Sequence, residues 1–510
     1  QHVKDKVVVR VDRDGLQQRI AALPIPASSY GQLASAGEQL FYVRKGKLAL
    51  FDFAKEKETE LGDFSSFRLS ANRKKMLVRS GDSFGIIDLP SARIELKERL
   101  DLGDLTVQLD RQAEWKQMFH ECWRQMRDFF YAPNMHGVDW PGVRKKYETL
   151  LPYVNHRNDL TFIIGEMIGE INVGHAYVGG GERPPVKKIP LGLLGAEISR
   201  DAASQYFKID KILKGENWNK QTRAPLTEIG VNVNAGDYIL AVNGQPTNEM
   251  ANIYEALVNT VNKQVVLKVN SKPTEQGSRE VTVIPTDDEA DLYYYNWVQS
   301  NIDKVSKATN GKVGYIHVPD MGTPGLNEFV KHFYPQLRKK ALIIDVRGNG
   351  GGNVSPMLIE RLRREIAMID IARNTSKNPD PGDMMMGPMV CLLNEYSASD
   401  GDLFPYRFRK YKLGKLIGKR SWGGVVGIRG TLPFVDGGFL NKPEFASYDT
   451  EGKTWIIEGH GVDPDIVVDN DPFKEMAGVD EQLNKAIEVI LEELKTQGKE
   501  LPEAPEYPKK

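Results

Sequence analysis

The sequence predicts a multidomain α+β protein, and three observations predict it. Strand-and-turn segments fill the chain from Val3 to about Leu105 and return between Leu191 and about Asp287. A block with helical spacing of apolar residues separates the two. From Asp291 to about Leu494 strands alternate with helices, which argues an α/β layer on parallel strands. At roughly 100–200 residues per domain, the 510 residues suit about three or four domains.

In residues 1–105, EQLFYVRKGKLALFDF and SSFRLSANRKKMLVRSGDSFGIIDL each read as strand, charged turn, strand and a hydrophobic-Asp close. Repeats of this size are typical of β-propeller blades, which bury their faces only against neighbours. Two units cannot close a ring, so the region reads as the terminal blades of a longer propeller, with a small independent β-domain as the alternative. Residues 106–186 open with AEWKQMFHECWRQMRDFFY, where Trp115, Met118, Phe119, Cys122, Trp123, Met126 and Phe129 recur at three-and-four spacing. VDWPGVRKKYETLLPYV and HRNDLTFIIGEMIGEI continue as helices, and Gly179 to Gly181 with Pro184-Pro185 mark a linker. Residues 187–288 hold the strands LGLLGAEI, QYFKIDKIL, GDYILAVNG, QVVLKVN and REVTVIP, with helix-like NEMANIYEALVN among them. In residues 289–494, GKVGYIHV, ALIIDV, PMVCLLN and KLIGKR are strand-like, while LNEFVKHFYPQL, PMLIERLRREI and FPYRFRKY are helix-like. Residues 495–510 are polar and Pro-rich and read as a mobile tail.

Composition excludes several classes. Lys plus Arg total 68 against 69 Asp plus Glu, without the basic surplus of a nucleic-acid binder. No apolar run approaches the ~18 residues that cross a bilayer, so no membrane insertion is expected. Cys122 and Cys391 lie far apart without metal or redox spacing, which leans toward a reducing compartment. The 8 His show no HExxH or paired spacing, and no metal or cofactor is implied. The chain begins at Gln1 rather than Met and reads as processed or as a fragment.

Three segments carry chemistry. ALIIDVRGNGGGNVSPMLIERL is a strand, the turn Arg347 to Gly352, then a helix. Such a turn lets backbone N–H groups approach an anion, either a phosphate or the oxyanion of an acyl intermediate. It lacks the Lys-Ser/Thr end of a P-loop; a dinucleotide turn or a plain structural turn stays open. PMVCLLNEYSASDGDLFPYRFRKY delivers Ser397-Ala398-Ser399-Asp400-Gly401-Asp402 to a helix start. Pro405 suits a first helical turn, and the two Asp suit its positive end. A serine here is either a presented nucleophile or a helix cap. His175, in NVGHAYVGGG, is a base, a ligand or a surface residue, and His460 beside Glu458 is its rival.

GHAYVGGG, DVRGNGGGN, NEYSASDGDLFPY, GKRSWGGVVGIRG and IIEGHGVDPDI occur in the order found in tricorn proteases, and the chain resembles that family from the β region to about Pro472. The resemblance implies a PDZ domain at residues 187–288, with LGLLGAEI at its carboxylate-binding loop. It also implies a catalytic core of the crotonase/ClpP-like class, split between residues 106–186 and 289–494. Carried over by position, Ser399 is the nucleophile, His175 the base, and Glu458 completes the charge relay. Gly351 or Gly352 with Asp400 supply the oxyanion-hole N–H groups, and Asp370 favours basic substrate residues. The resemblance implies a serine peptidase acting on short unfolded peptides, cytoplasmic and assembled as a homo-oligomer, a hexamer in the family, with export to the periplasm left open. There is one departure: the family pattern has Ser before the catalytic His, and this chain has Gly174. Processing proteases of the clan use a Ser–Lys pair; in register, Gly424 stands at the Lys position and Lys419 lies nearby. The rival readings are an inactive peptide-binding scaffold of propeller and PDZ modules, and a nucleotide-dependent enzyme using the glycine turn.

Overall fold

The computed structural model describes residues 11–430, 432–498 and 500–509. The chain divides between Leu109 and Asp110 into two units. In the first, β1 (Tyr30–Ala36), β2 (Gln39–Arg44), β3 (Lys47–Asp52) and β4 (Lys57–Gly62) form an antiparallel meander, and β5 (Ser66–Leu69), β6 (Lys75–Ser80) and β7 (Ser83–Asp88) a second. Alternation drives them: Met76 and Val78 of β6 point inward between exposed Lys75, Leu77 and Arg79. With Phe41, Leu48, Leu50, Leu61, Phe64 and Phe67 they form the core of this unit. The meanders have the size of propeller blades, and no ring is closed among the described residues. Part of the β structure expected from Val3 falls on residues 1–10, outside those described; from residue 11 to Ser29 the only regular element is a short 3-10 turn.

The second unit opens with α1 (Arg111–Phe129), α2 (Trp140–Glu148) and α3 (Arg157–Gly169). Trp115, Met118, Phe119, Cys122, Trp123 and Met126 are buried as their spacing predicts. Phe129 is not. It ends the helix 41% exposed beneath the Lys442 ammonium, and the chain turns to bury Phe130 instead. The strand β8 (Tyr177–Gly179) follows the loop that carries His175.

Strands β9 (Ala196–Arg200), β10 (Phe207–Ile212), β11 (Tyr238–Val242), β12 (Gln245–Pro246), β13 (Val265–Asn270) and β14 (Arg279–Val283) make an antiparallel sheet ordered β14-β13-β11-β10-β9, with β12 on β11. The segment NEMANIYEALVN is not an α-helix but two 3-10 turns, at Thr247–Glu249 and Ile253–Leu257. The buried Thr247 hydroxyl bonds Leu240 O, and the Asn252 carboxamide accepts from Tyr254 N, so local bonds break the periodicity. At LGLLG three backbone donors are already taken: Gly192 N by Leu257 O, Leu193 N by Thr286 O, Gly195 N by a Glu289 carboxylate oxygen.

The core sheet is parallel in the order β15-β16-β19-β20-β22. Its elements are α4 (Ala290–Ala308), β15 (Val313–His317), α5 (Thr323–Phe333), β16 (Ala341–Asp345), α6 (Ser355–Leu362), the hairpin β17 (Met368–Asp370) and β18 (Asn378–Asp380), β19 (Met389–Leu393), α7 (Asp400–Lys410), β20 (Gly414–Gly418), β21 (Phe439–Asn441), β22 (Ile466–Val467), α8 (Pro472–Met476) and α9 (Glu481–Gln497). Strand periodicity splits the core into two faces. Leu342, Ile344, Cys391 and Leu393 pack with Leu358 and Phe404 from α6 and α7. Ile343, Val390 and Leu392 pack with Val305 of α4 and Ile490 of α9. Because both faces are covered, β19 is wholly apolar and β16 is apolar as far as Asp345, rather than alternating. The helices α4 and α9 were not expected from the sequence. Gln497 ends α9 three residues into the stretch read as tail, and Lys377 bonds Pro502 O and Glu503 beyond it.

Pro405 does not open α7. The helix starts at Asp400, which leaves Pro405 in its interior, where it removes one backbone donor from the helix ladder.

Candidate active site

Loops at the carboxyl ends of β16 and β19 face the loop between α3 and β8. Ser399 stands between β19 and α7 with φ 58° and ψ −121°. A residue other than glycine held there costs about 1–3 kcal/mol, so the surroundings must impose it. Its hydroxyl makes no capping bond, whereas Ser397 is fully buried and its hydroxyl donates to Val346 O at 2.8 Å. Of the two serines, Ser399 alone keeps an uncommitted hydroxyl.

His175 also has positive φ, 60°, and its ring meets Trp422 edge-on at 5.8 Å between centroids. Its Nδ1 is buried without a hydrogen-bond partner, which leaves Nε2 for a reacting group. Burial lowers its pKa below the ordinary 6.5, and the negative Glu458 pulls it back up. Glu458 clasps the histidine loop to the core: one oxygen accepts from Gly174 N at 2.8 Å, the other from Val425 N at 2.6 Å and Val426 N at 2.9 Å.

Ser399, His175 and Gly350 share one cleft of about 450 Å³, walled by Tyr177, Tyr396 and Trp422. Among the described residues, larger surface hollows exist, but none of those with Lys312, Arg363 or Pro184 on its wall pairs a serine with a histidine. Beside Ser399, the Asp400 N–H is at the first helical residue and has no intrahelical acceptor. Gly351 packs so closely that a Cβ there would lie 2.5 Å from the Ser399 Cβ. The Gly351 N–H, however, donates to Asn349 Oδ1 at 2.9 Å. It is Gly350, rather than Gly351 or Gly352, that lines the cleft.

The turn is held rigidly. The Asp400 carboxylate accepts from Ser355 N at 2.8 Å, from the Ser355 hydroxyl at 2.6 Å and from Arg407 at 3.0 Å, joining α7 to the start of α6. Arg347 bridges buried Asp345 and Asp480, and buried His317 binds the Arg347 carbonyl at 3.0 Å.

The remaining candidates lie elsewhere. Asp370 ends β17 exposed, outside the cleft lining. His460 is exposed and paired with Asp463 at 2.7 Å. Lys419 pairs with Glu395 at 2.7 Å and Asp469 at 3.2 Å. Gly424 stands against the histidine loop: a Cβ at Gly174 would approach the Gly424 Cα to 2.8 Å. The position that takes a lysine in the clan is here covered by the loop that brings His175. Gly350, Trp422, Tyr177, Tyr396 and Asp402 were not singled out from the sequence as site residues. Each left a signal only as a member of a quoted motif, Gly350 in the glycine turn and Asp402 as the second acid of the SASDGD turn.

Residues 312–468, which hold the parallel core sheet and Ser399, match the model of peptidase family S41. Residues 192–288 match the tricorn protease PDZ domain, and residues 111–169 the tricorn protease C1 domain. The chain belongs to the tricorn protease family. It is 34% identical over 512 residues to tricorn protease homolog 1 of Streptomyces coelicolor, covering 94% of this chain and 47% of that protein. It is 35% identical over 501 residues to the tricorn protease homolog of Saccharolobus solfataricus, covering 94% and 46%. A crystal structure of the tricorn protease superposes with a TM-score of 0.81 at 30% identity, covering 92% of this chain and 47% of that one. The chain thus spans about half the length of the curated relatives it matches. No helix among the described residues is long and apolar enough to cross a membrane.

Proposed function

We propose that this chain is a serine peptidase that hydrolyses peptide bonds through an acyl-enzyme, with Ser399 as nucleophile and His175 as base. The observation that carries this reading is the shared cleft, in which the Ser399 hydroxyl is free while that of Ser397 is spent. His175 takes the hydroxyl proton as oxygen attacks the carbonyl carbon, then returns it to the leaving amine; water resolves the ester. The Asp400 N–H and an N–H of the glycine turn, at Gly350 or Gly352, face the developing oxyanion, since the Gly351 N–H is committed to Asn349. Glu458 holds the histidine loop and its charge favours the imidazolium. Asp370 would act on a substrate residue that extends beyond the cleft.

The resemblance supports short unfolded peptides as substrates, a cytoplasmic enzyme, a hexameric homo-oligomer and a first unit made of terminal propeller blades. Domain limits near 105, 186, 288 and 494 belong to the same reading. Light scattering that shows only monomer would remove the oligomer. Intact-mass spectrometry after incubation with a fluorophosphonate tests the chemistry. One adduct, mapped to Ser399 and absent from Ser399→Ala, is expected. No adduct on folded protein would favour the inactive scaffold.

A further inference from the structure

Asp402, the third residue of α7, is fully buried beside the nucleophile. One carboxylate oxygen accepts from Gly423 N at 2.8 Å. The other is enclosed without a hydrogen-bond partner. Leaving a buried carboxylate half satisfied costs stability, and replacing it with an apolar side chain would be cheaper for the fold. Burial pushes its carboxyl up to about 6, and the Gly423 N–H offsets only part of that.

The Gly423 bond spans 21 positions and leads to the histidine. The Gly423 carbonyl accepts from Gly459 N at 2.7 Å, next to Glu458. Trp422 donates its N–H to Ser397 O at 3.0 Å and lays its ring against His175. Val425 and Val426 hold the Glu458 carboxylate, which holds Gly174. One segment, residues 421–426, therefore touches His175, the Glu458 carboxylate and the serine turn at Ser397, and Asp402 ties it to the helix that Ser399 precedes.

We infer that Asp402 is a positioning residue that sets the alignment of His175 with Ser399 by fixing the 421–424 segment to the first turn of α7. The inference rests on the peptidase reading above. It predicts loss of turnover without loss of binding, because the cleft walls that meet substrate do not include Asp402.

The test uses the full chain, with Asp402→Ala and Asp402→Asn compared with the unsubstituted protein. Hydrolysis of a short fluorogenic peptide, fluorophosphonate labelling rate and thermal unfolding are measured on each. Asp402→Ala should lower kcat and labelling rate roughly 10- to 100-fold with KM within about twofold. Asp402→Asn should restore most of the rate, because its amide oxygen can accept the same Gly423 N–H. Unsubstituted protein that neither labels nor cleaves sinks the peptidase reading itself. Labelled unsubstituted protein with an alanine variant of equal kcat overturns the role of Asp402. So does an asparagine variant no better than alanine, or a rate loss that merely follows a fall in unfolding temperature.

Discussion

Gly174 stands where the resemblance implies a serine, and its surroundings leave little room for one. Its N–H reaches Glu458 directly, while a Cβ would meet the Gly424 Cα at 2.8 Å and Glu458 Oε1 at 3.2 Å. Gly174→Ser is therefore expected to cost about 1–3 kcal/mol of stability as overpacking and to lower turnover. Chemical denaturation and peptide hydrolysis on the same variant check both. His175 makes a second residue-level prediction. In the proposed mechanism the neutral imidazole is the base, and burial lowers its pKa below the ordinary 6.5. The acid limb of kcat/KM should lie below that value, and Glu458→Gln, which removes the charge that raises it, should move the limb further down. A limb above 6.5 in the unsubstituted protein would contradict the burial argument.

At the scale of elements, α6 and α7 are locked by the Asp400 carboxylate. Asp400→Ala removes bonds to Ser355 and Arg407 and should destabilise by about 2–3 kcal/mol. Urea unfolding reads this, and labelling of Ser399 should slow because the glycine turn and the helix start lose their common anchor. The PDZ-like sheet supplies a separate prediction. Gly195 N at LGLLG is held by Glu289 at 2.5 Å, as a peptide carboxylate would be held. Calorimetry with free-carboxylate peptides should detect no binding to this domain, whereas Glu289→Ala should admit them in preference to amidated ones.

At the scale of the molecule, one half of the site must be carried to the other. Residues 432–443 return from the core to the helical domain: β21 pairs with β8, Leu440 and Phe434 enter the helical core, and Tyr131 N bonds Pro443 O. The buried pair Arg157–Asp436, at 2.6 Å, secures this arm. Arg157→Met leaves Asp436 buried and unpaired, which should cost about 3–5 kcal/mol and reduce kcat as the histidine loop loosens. Differential scanning calorimetry beside peptide turnover checks it; stability loss with unchanged turnover would show that the loop is held without the arm.

The sequence by itself determined the local elements and the order of the motifs. Apolar runs bounded by turns predict β15, β16, β19 and β20, and three-and-four spacing predicts α1. Both follow from periods of the backbone, which neighbours along the chain suffice to express. Ser399, His175 and Glu458 were named through motif order. That Ser399 and His175 line one cleft, with Glu458 bound to the histidine loop at Gly174, was not legible, because His175 stands 224 positions before Ser399 and 283 before Glu458. The free hydroxyl of Ser399 beside the spent one of Ser397, the commitment of the Gly351 N–H to Asn349, the place of Asp370 outside the cleft lining and the burial of Asp402 were decided by tertiary structure. Each depends on which polar groups find partners once water is excluded, and that is set by contacts between segments remote in sequence.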